Sequence, residues 1–270
     1  MFPWVDGFQW SLGHIVFLSL FFAVVLIIFS TLVSAAWRTA SVFRTHRATE
    51  MCWRMNFAEL PEAERRCRHQ LAGRVPSRIC DNAFDCRHCP KYAEFAALPP
   101  RAPSRNVGVD YSADLLYHRG HTWVRPEGDG TLTVGLDELA QHLIGHPDSV
   151  ELPVKGSEIE SNGIAWRMAK NGHEIRIRAP IDGTVVSTGE NGDGWYLRLH
   201  PRDPVNLRHL LRGAEVRGWL SSELDRLQSQ FSASNAKPCL ADGGTLMAEL
   251  MDAMPEADWD SVLEATFLET

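Results

Sequence analysis

From Ile15 to Ala36 the chain runs for 22 residues without a charge or a proline. As a helix rising 1.5 Å per residue such a run reaches ~33 Å, enough to cross the hydrocarbon core of a bilayer. One transmembrane helix is therefore expected over residues 15–36, preceded by a short extracytoplasmic tail, 1–14. A cleaved signal peptide is the competing reading, favoured by the small residues around Ser34-Ala35. Residues 1–14 carry Asp6 but no lysine or arginine, however, and the run exceeds an ordinary signal core. Arg38, Arg44, Arg47 and Arg54 follow the helix and no basic residue precedes it, so the remainder of the chain should face the cytoplasm of an inner or plasma membrane.

A reducing compartment bears on the six cysteines, because it disfavours structural disulfides. Cys67, Cys80, Cys86 and Cys89 fall within one short stretch, and Cys86-Arg87-His88-Cys89 has the spacing with which two thiolates chelate from a turn. A zinc ion on these four thiols is the expectation, as a staple for a segment too small to build its own core. An iron–sulfur cluster suits the same donors, and His69 and His88 are adjacent substitutes for a thiolate. Buried thiols without metal, or redox-sensing thiols activated by neighbouring arginines, are the remaining readings. Cys52 and Cys239 stand alone and should simply pack.

The sequence divides further at its breakers. Residues 37–97 read as a juxtamembrane helical and Cys-rich segment, with helical spacing over 50–70. The proline-rich stretch starting at Leu98 marks a linker over 98–113. Over 114–232 the pattern becomes short alternating runs bounded by glycine-rich turns, such as Thr131–Val134, Glu174–Arg178 and Trp195–Leu199, followed by an amphipathic helix over 203–232. An acidic tail, 233–270, holds two short helical runs, 245–253 and 257–267, whose apolar faces should dock back onto the domain. The fold class is α+β: a small β-barrel or sandwich with helices before and after it. The net charge of −7 and the position of the arginines beside the membrane give no sign of nucleic-acid binding.

The stretch from Leu116 carries a denser signal. His121-x-Trp123-Val124, Gly135, Ala140-Gln141, Val150-Glu151-Leu152-Pro153, Gly156 and Pro180-x-x-Gly183 follow one another without a gap, and Gly194-Trp195 and Leu199-His200-Pro201 continue the series. This run resembles the glycine cleavage H protein family. The resemblance implies a lipoyl-type flattened barrel of two small sheets, with a lipoyl group carried on a lysine at a hairpin tip. The family's lysine stands eight residues before the proline of the returning strand, which here is Gly172. Lys170, ten residues before Pro180, is the nearest lysine, and the loop ahead of Gly194-Trp195 is shorter than the family's. Asn171-Gly172 is itself the strongest signal for a two-residue type I′ hairpin, so the hairpin is expected to be intact and tightly closed. Lipoylation is accordingly not expected; a shifted hairpin register bringing Lys170 to the tip is the alternative.

No Ser/His/Asp or Cys/His arrangement and no phosphate-cradling glycine loop is legible, and His118, His121, His142, His146 and His173 receive no role. The expectation is a non-enzymatic, membrane-anchored H-protein-like module with a Cys-bound metal and unidentified protein partners, acting in protein contact or signalling. Two alternatives stand beside it: a lipoyl carrier of glycine-cleavage-type chemistry modified on Lys170, and an electron-transfer protein with a Cys-ligated iron–sulfur cluster.

Overall fold

Proline at position 61 ends the first helix. Helix α1 runs from Leu12 to Glu59, and its portion Leu12–Trp37 is long and apolar enough to cross a membrane. The computed structural model describes residues 11–100, 109–189, 194–202, 205–233 and 246–268. Cys239, residues 101–108 of the 98–113 linker and residues 190–193 lie outside them. By its internal contacts the chain forms two units, Met1–Ala48 and Thr49–Thr270. All the strands and every helix after α1 belong to the second.

After α1 come two short helices, α2 (Arg68–Leu71) and α3 (Tyr92–Ala96), and then the strands. Strands β1 (Leu116–Tyr117), β2 (Thr122–Pro126) and β3 (Leu132–Leu136) form a meander that leads into helix α4 (Glu138–Ile144), capped by the Asp137 carboxylate on the Ala140 amide. Strands β4 (Ser149–Glu151), β5 (Glu158–Ile159), β6 (Ile164–Lys170), β7 (His173–Arg178), β8 (Gly183–Thr188) and β9 (Leu197–Pro201) come next, then helices α5 (Ala214–Ala233), α6 (Leu250–Ala253) and α7 (Trp259–Phe267). They assemble into a six-stranded sheet, β1-β2-β3-β9-β8-β5, and a three-stranded sheet, β4-β6-β7, with antiparallel pairing throughout. Every residue of β3 is buried, as a strand between two neighbours and under helices must be. Between the sheets and helices lie Val124, Val134, Leu136, Ile175, Ile177, Leu197 and Leu199, joined by Leu139 and Leu143 of α4 and Trp219 of α5. The fold class is the α+β arrangement expected.

Two helical expectations differ from the structure. The helix predicted over 203–232 begins only at Ala214, because Leu211 is held extended: it exchanges backbone hydrogen bonds with Tyr117 at the end of β1, 2.9 and 2.7 Å long. Leu210 and Leu211 enter the core, Leu211 through this bridge, and Gly213 with φ +57° turns the chain into α5. The helical pattern over 50–70, with a second start expected at Pro61, breaks after Glu59 and resumes only as the single turn of α2 at Arg68.

Helix α2 lies directly on α5. A Cβ on Gly218 would meet the Leu71 carbonyl oxygen at 2.2 Å, so only glycine lets the two backbones approach this closely. The contact is sealed by charge. Arg68, buried on the domain, pairs with Glu215 and donates to the Leu210 carbonyl at 2.8 Å, while Arg74 reaches Glu215 at 3.4 Å. Removing one partner of such a pair leaves a buried charge uncompensated. Arg68→Ala is therefore expected to destabilise the protein by about 3 kcal/mol, whereas Arg74→Ala should cost no more than about 1 kcal/mol, both read from chemical denaturation.

A second buried network ties β2 and α4 to α5. His121 is fully buried, with Nδ1 2.8 Å from Asp137, its ring stacked on Trp219, and Glu223 3.9 Å from Nε2. Burial pushes the imidazole down, but Asp137 and Glu223 outweigh it and raise the pKa to about 9. For His118 and His209 burial dominates and lowers them to about 3 and about 4, in His209 against the weaker pull of Asp85 and Asp182. The two cases act on opposite flanks. A raised histidine contributes stability that is complete below its unfolded pKa of about 6.5 and is lost as pH rises through 9; lowered histidines contribute stability that is lost as pH falls below about 6.5. Stability is expected to peak near neutral pH and to fall on the alkaline side by on the order of 2 kcal/mol. In His121→Gln the fall between about pH 6.5 and 9 should vanish while the acid limb stays; a variant that keeps the fall in that window would contradict the assignment.

Candidate functional site: the β6–β7 hairpin and its cover

Strands β6 and β7 meet at a two-residue turn. Their last register pair is Lys170 opposite His173, and Asn171 and Gly172 between them take φ values of +53° and +85°. Positive φ at both central residues is the type I′ geometry that the Asn-Gly pair favours. Below the tip, Met168, Ile175 and Ile177 point into the core, so the hairpin is a rigid base rather than a free loop. The Asn171 amide is anchored to Asp148 at 2.8 Å.

Gly172, at the position of the family's lysine, faces open space at the turn. Lys170 does not stand on the turn. It is the final residue of β6, and its side chain, 8% exposed, ends 2.7 Å from Asp252 of α6. Asn171 completes the contact by donating to Asp252 at 3.1 Å and to the Met251 carbonyl at 3.4 Å. Two residues along, His173 meets Asp260 of α7 at 2.6 Å. The C-terminal segment thus covers the hairpin tip with carboxylates. The hydrogen bond from Lys170 to Asp252 holds the amine's pKa above the ordinary lysine value, and the same bond pulls the Asp252 carboxyl down. In this arrangement the amine is an ammonium ion and has no lone pair to offer.

The tail does dock as its apolar pattern suggested. Met251, Trp259, Val262, Leu263 and Phe267 are part of the main core. The partners of the hairpin, Asp148, Asp252 and Asp260, were not singled out in the sequence; the acidic composition of the tail was the available signal, and it does not specify which carboxylate meets which base. The histidines take separate partners: His118 with Asn162 at 2.9 Å, His142 with the Leu246 carbonyl at 3.0 Å, and His121 and His173 as described.

The thiols tell against the metal that their spacing suggested. Cys67, Cys80, Cys86 and Cys89 line one cavity, but it measures about 20 Å³, room for a single water, and Arg68 and Arg119 also line it. Burial raises the Cys80 thiol and pushes the Cys86 thiol up to about 11, against the partial relief of nearby Arg119 and, for Cys86, Arg68. Among the described residues no three or more His, Cys, Asp or Glu gather closely enough to hold a metal ion. The zinc and iron–sulfur expectations are therefore corrected: the four clustered thiols line a packed, arginine-lined seam.

Comparison with known proteins corrects the other half of that cofactor expectation, which set lipoate aside. Residues 115–223 match the family model of the glycine cleavage H-protein. The glycine cleavage system H protein of Pseudoalteromonas translucida is 37% identical over 117 residues, 38% of this chain and 90% of its own length. Those of Shewanella halifaxensis and Idiomarina loihiensis are 36% and 38% identical over 112 residues, each covered to 87%. A relative matched over nine-tenths of its length at this identity shows the family. Folded around a tight β6–β7 hairpin, with extra segments before and after the matched residues, this chain belongs to the glycine cleavage H-protein family.

Proposed function

We propose that the protein is a carrier of the H-protein type, tethered to a membrane by α1 with its domain on the cytoplasmic side, and that Lys170 is the amine that takes a lipoyl group. The observation that carries this reading is the H-protein match, which spans the hairpin and leaves Lys170 as the one lysine beside the tip; the other lysines are Lys91, Lys155 and Lys237. It is a carrier rather than a catalyst, with partner enzymes performing the chemistry.

The hairpin fits the group in part. A rigid two-residue tip with an adjoining amine suits a swinging arm, and Gly172 leaves open space beside it. The amine itself, paired with Asp252 and largely covered, fits once that carboxylate lets go. A bound lipoyl group supplies a dithiolane that accepts and hands on a small fragment. The protein's own part is attachment and presentation. Lys170, released from Asp252 and deprotonated, attacks the carbonyl of an activated acyl donor; the C–N bond forms, the donor's leaving group departs with its electron pair, and the nitrogen proton passes to water. Asn171 and Gly172 hold the amide-bearing strand end in place, and the buried Ile175 and Ile177 below them keep the tip from yielding.

Peptide mapping of the full chain co-produced with a lipoylating system tests this. A lipoyl amide is expected on Lys170 and on none of the other lysines, and Lys170→Arg should abolish it. An unmodified Lys170 would defeat the carrier reading and leave an H-protein scaffold whose tip serves protein contact alone.

A further inference from the structure

We propose that the C-terminal segment 246–268 is a latch that withholds Lys170 from acylation, with α6 as the part that opens and α7 as the part that stays. The inference rests on the reading of Lys170 as the attachment residue. The segment lies beyond the matched residues 115–223, so its place over the hairpin is an addition to the carrier domain.

The latch is built from two unlike halves. Helix α7 is pinned: Trp259 and Phe267 are 2% and 0% exposed, Asp258 caps the helix on the Ser261 amide, and the Leu268 carbonyl accepts from Arg178 at 2.8 Å and from Asn56 at 3.4 Å. Helix α6 is a single turn. Its cap residue Glu249 is left-handed at φ +56° and makes no side-chain cap, and Pro255 follows it closely, so few helical hydrogen bonds of its own hold the turn. What it offers the tip is polar and close to water: Asp252 is 42% exposed while gripping a lysine that is 8% exposed. Leu250 and Met251 seat the turn from beneath. Lifting α6 would free the Lys170 amine and the Asn171 side-chain amide together, unseating Met251 and the Met254 carbonyl to which Trp259 Nε1 donates at 2.8 Å, while α7 keeps its own tip contact, Asp260 to His173, at a carboxylate 80% exposed. A local opening of this kind draws on the least stable part of a fold rather than on its global stability. An acylating enzyme approaching the hairpin must displace the same turn.

The test is the reactivity of Lys170 toward a small amine reagent, independent of any lipoyl chemistry. The full chain in detergent micelles is pulsed with N-hydroxysuccinimidyl acetate, and acetylation is followed residue by residue by mass spectrometry, with exposed Lys91 and Lys155 as internal references. In the native protein Lys170 should label at least about fivefold more slowly than Lys155. In Asp252→Asn, which keeps the size and removes the charge, it should approach the Lys155 rate, while Lys91 and Lys155 stay unchanged. Hydrogen exchange at residues 249–254 should be fast relative to 259–267 and faster still in the variant. Native Lys170 labelling as fast as Lys155, or Asp252→Asn leaving it protected, would overturn the latch. Failure of the carrier reading is seen separately: a lysine freed in Asp252→Asn that no lipoylating system modifies leaves the latch standing, whereas equal lipoylation of native protein and variant removes the latch and leaves the carrier.

Discussion

The two-residue turn at Asn171-Gly172 fixes the chemistry available at this hairpin. Because both residues adopt positive φ, β6 and β7 are locked in the register that sets Lys170 opposite His173. Side chains alternate along each strand, so a slip of one residue would turn the buried Met168, Ile175 and Ile177 outward. The apolar face of the sheet and the turn therefore enforce the same register, and the shift that would bring Lys170 onto the tip does not occur. The lysine sits instead at the strand's end, where its side chain is directed into the C-terminal segment. That placement produces the ion pair with Asp252, which holds the amine's pKa above the ordinary lysine value.

Much of the fold was legible in the sequence because local rules and tertiary packing agreed. The apolar run, the Asn-Gly turn, the alternating strand at Glu174–Arg178 and the helical tail after Pro255 each carry their own signal, and each forms where it was expected. Disagreement arose where a long-range contact overrode a local pattern. The leucines at 207, 210 and 211 have helical spacing, yet the hydrogen bonds of Leu211 with Tyr117 draw the last of them into an extended bridge. The cysteines are a second case. Their spacing is that of a chelate, but Cys67 is fixed at the start of α2, which Gly218 and the Arg68–Glu215 pair hold on α5, contacts that join segments far apart in sequence. Among the described residues no metal-holding group forms, and Arg68 and Arg119 line the cavity the four thiols share.

The candidate site was legible only in half. Its scaffold and its lysine were read from the run that ends at Pro180-x-x-Gly183, but the carboxylate that governs the lysine lies 82 residues further on. An acidic, amphipathic tail announces that it will dock on something; it does not announce the register in which Asp252 reaches Lys170 and Asp260 reaches His173. Such pairings are tertiary facts. They also explain why the departure from the family's lysine position has a consequence beyond the missing residue: moving the amine from the turn to the strand end brings it under a segment that the matched family region does not include.

The most direct check on the closed tip is the 1H–15N spectrum of the lysine ammonium groups in the full chain. With only four lysines in the sequence, each signal can be assigned by substitution. A covered Lys170 ammonium paired with Asp252 predicts one slowly exchanging ammonium resonance that disappears in Lys170→Arg and broadens into fast exchange in Asp252→Asn. A spectrum in which Lys170 exchanges as freely as Lys155 would contradict the covered lysine on which the closed tip depends.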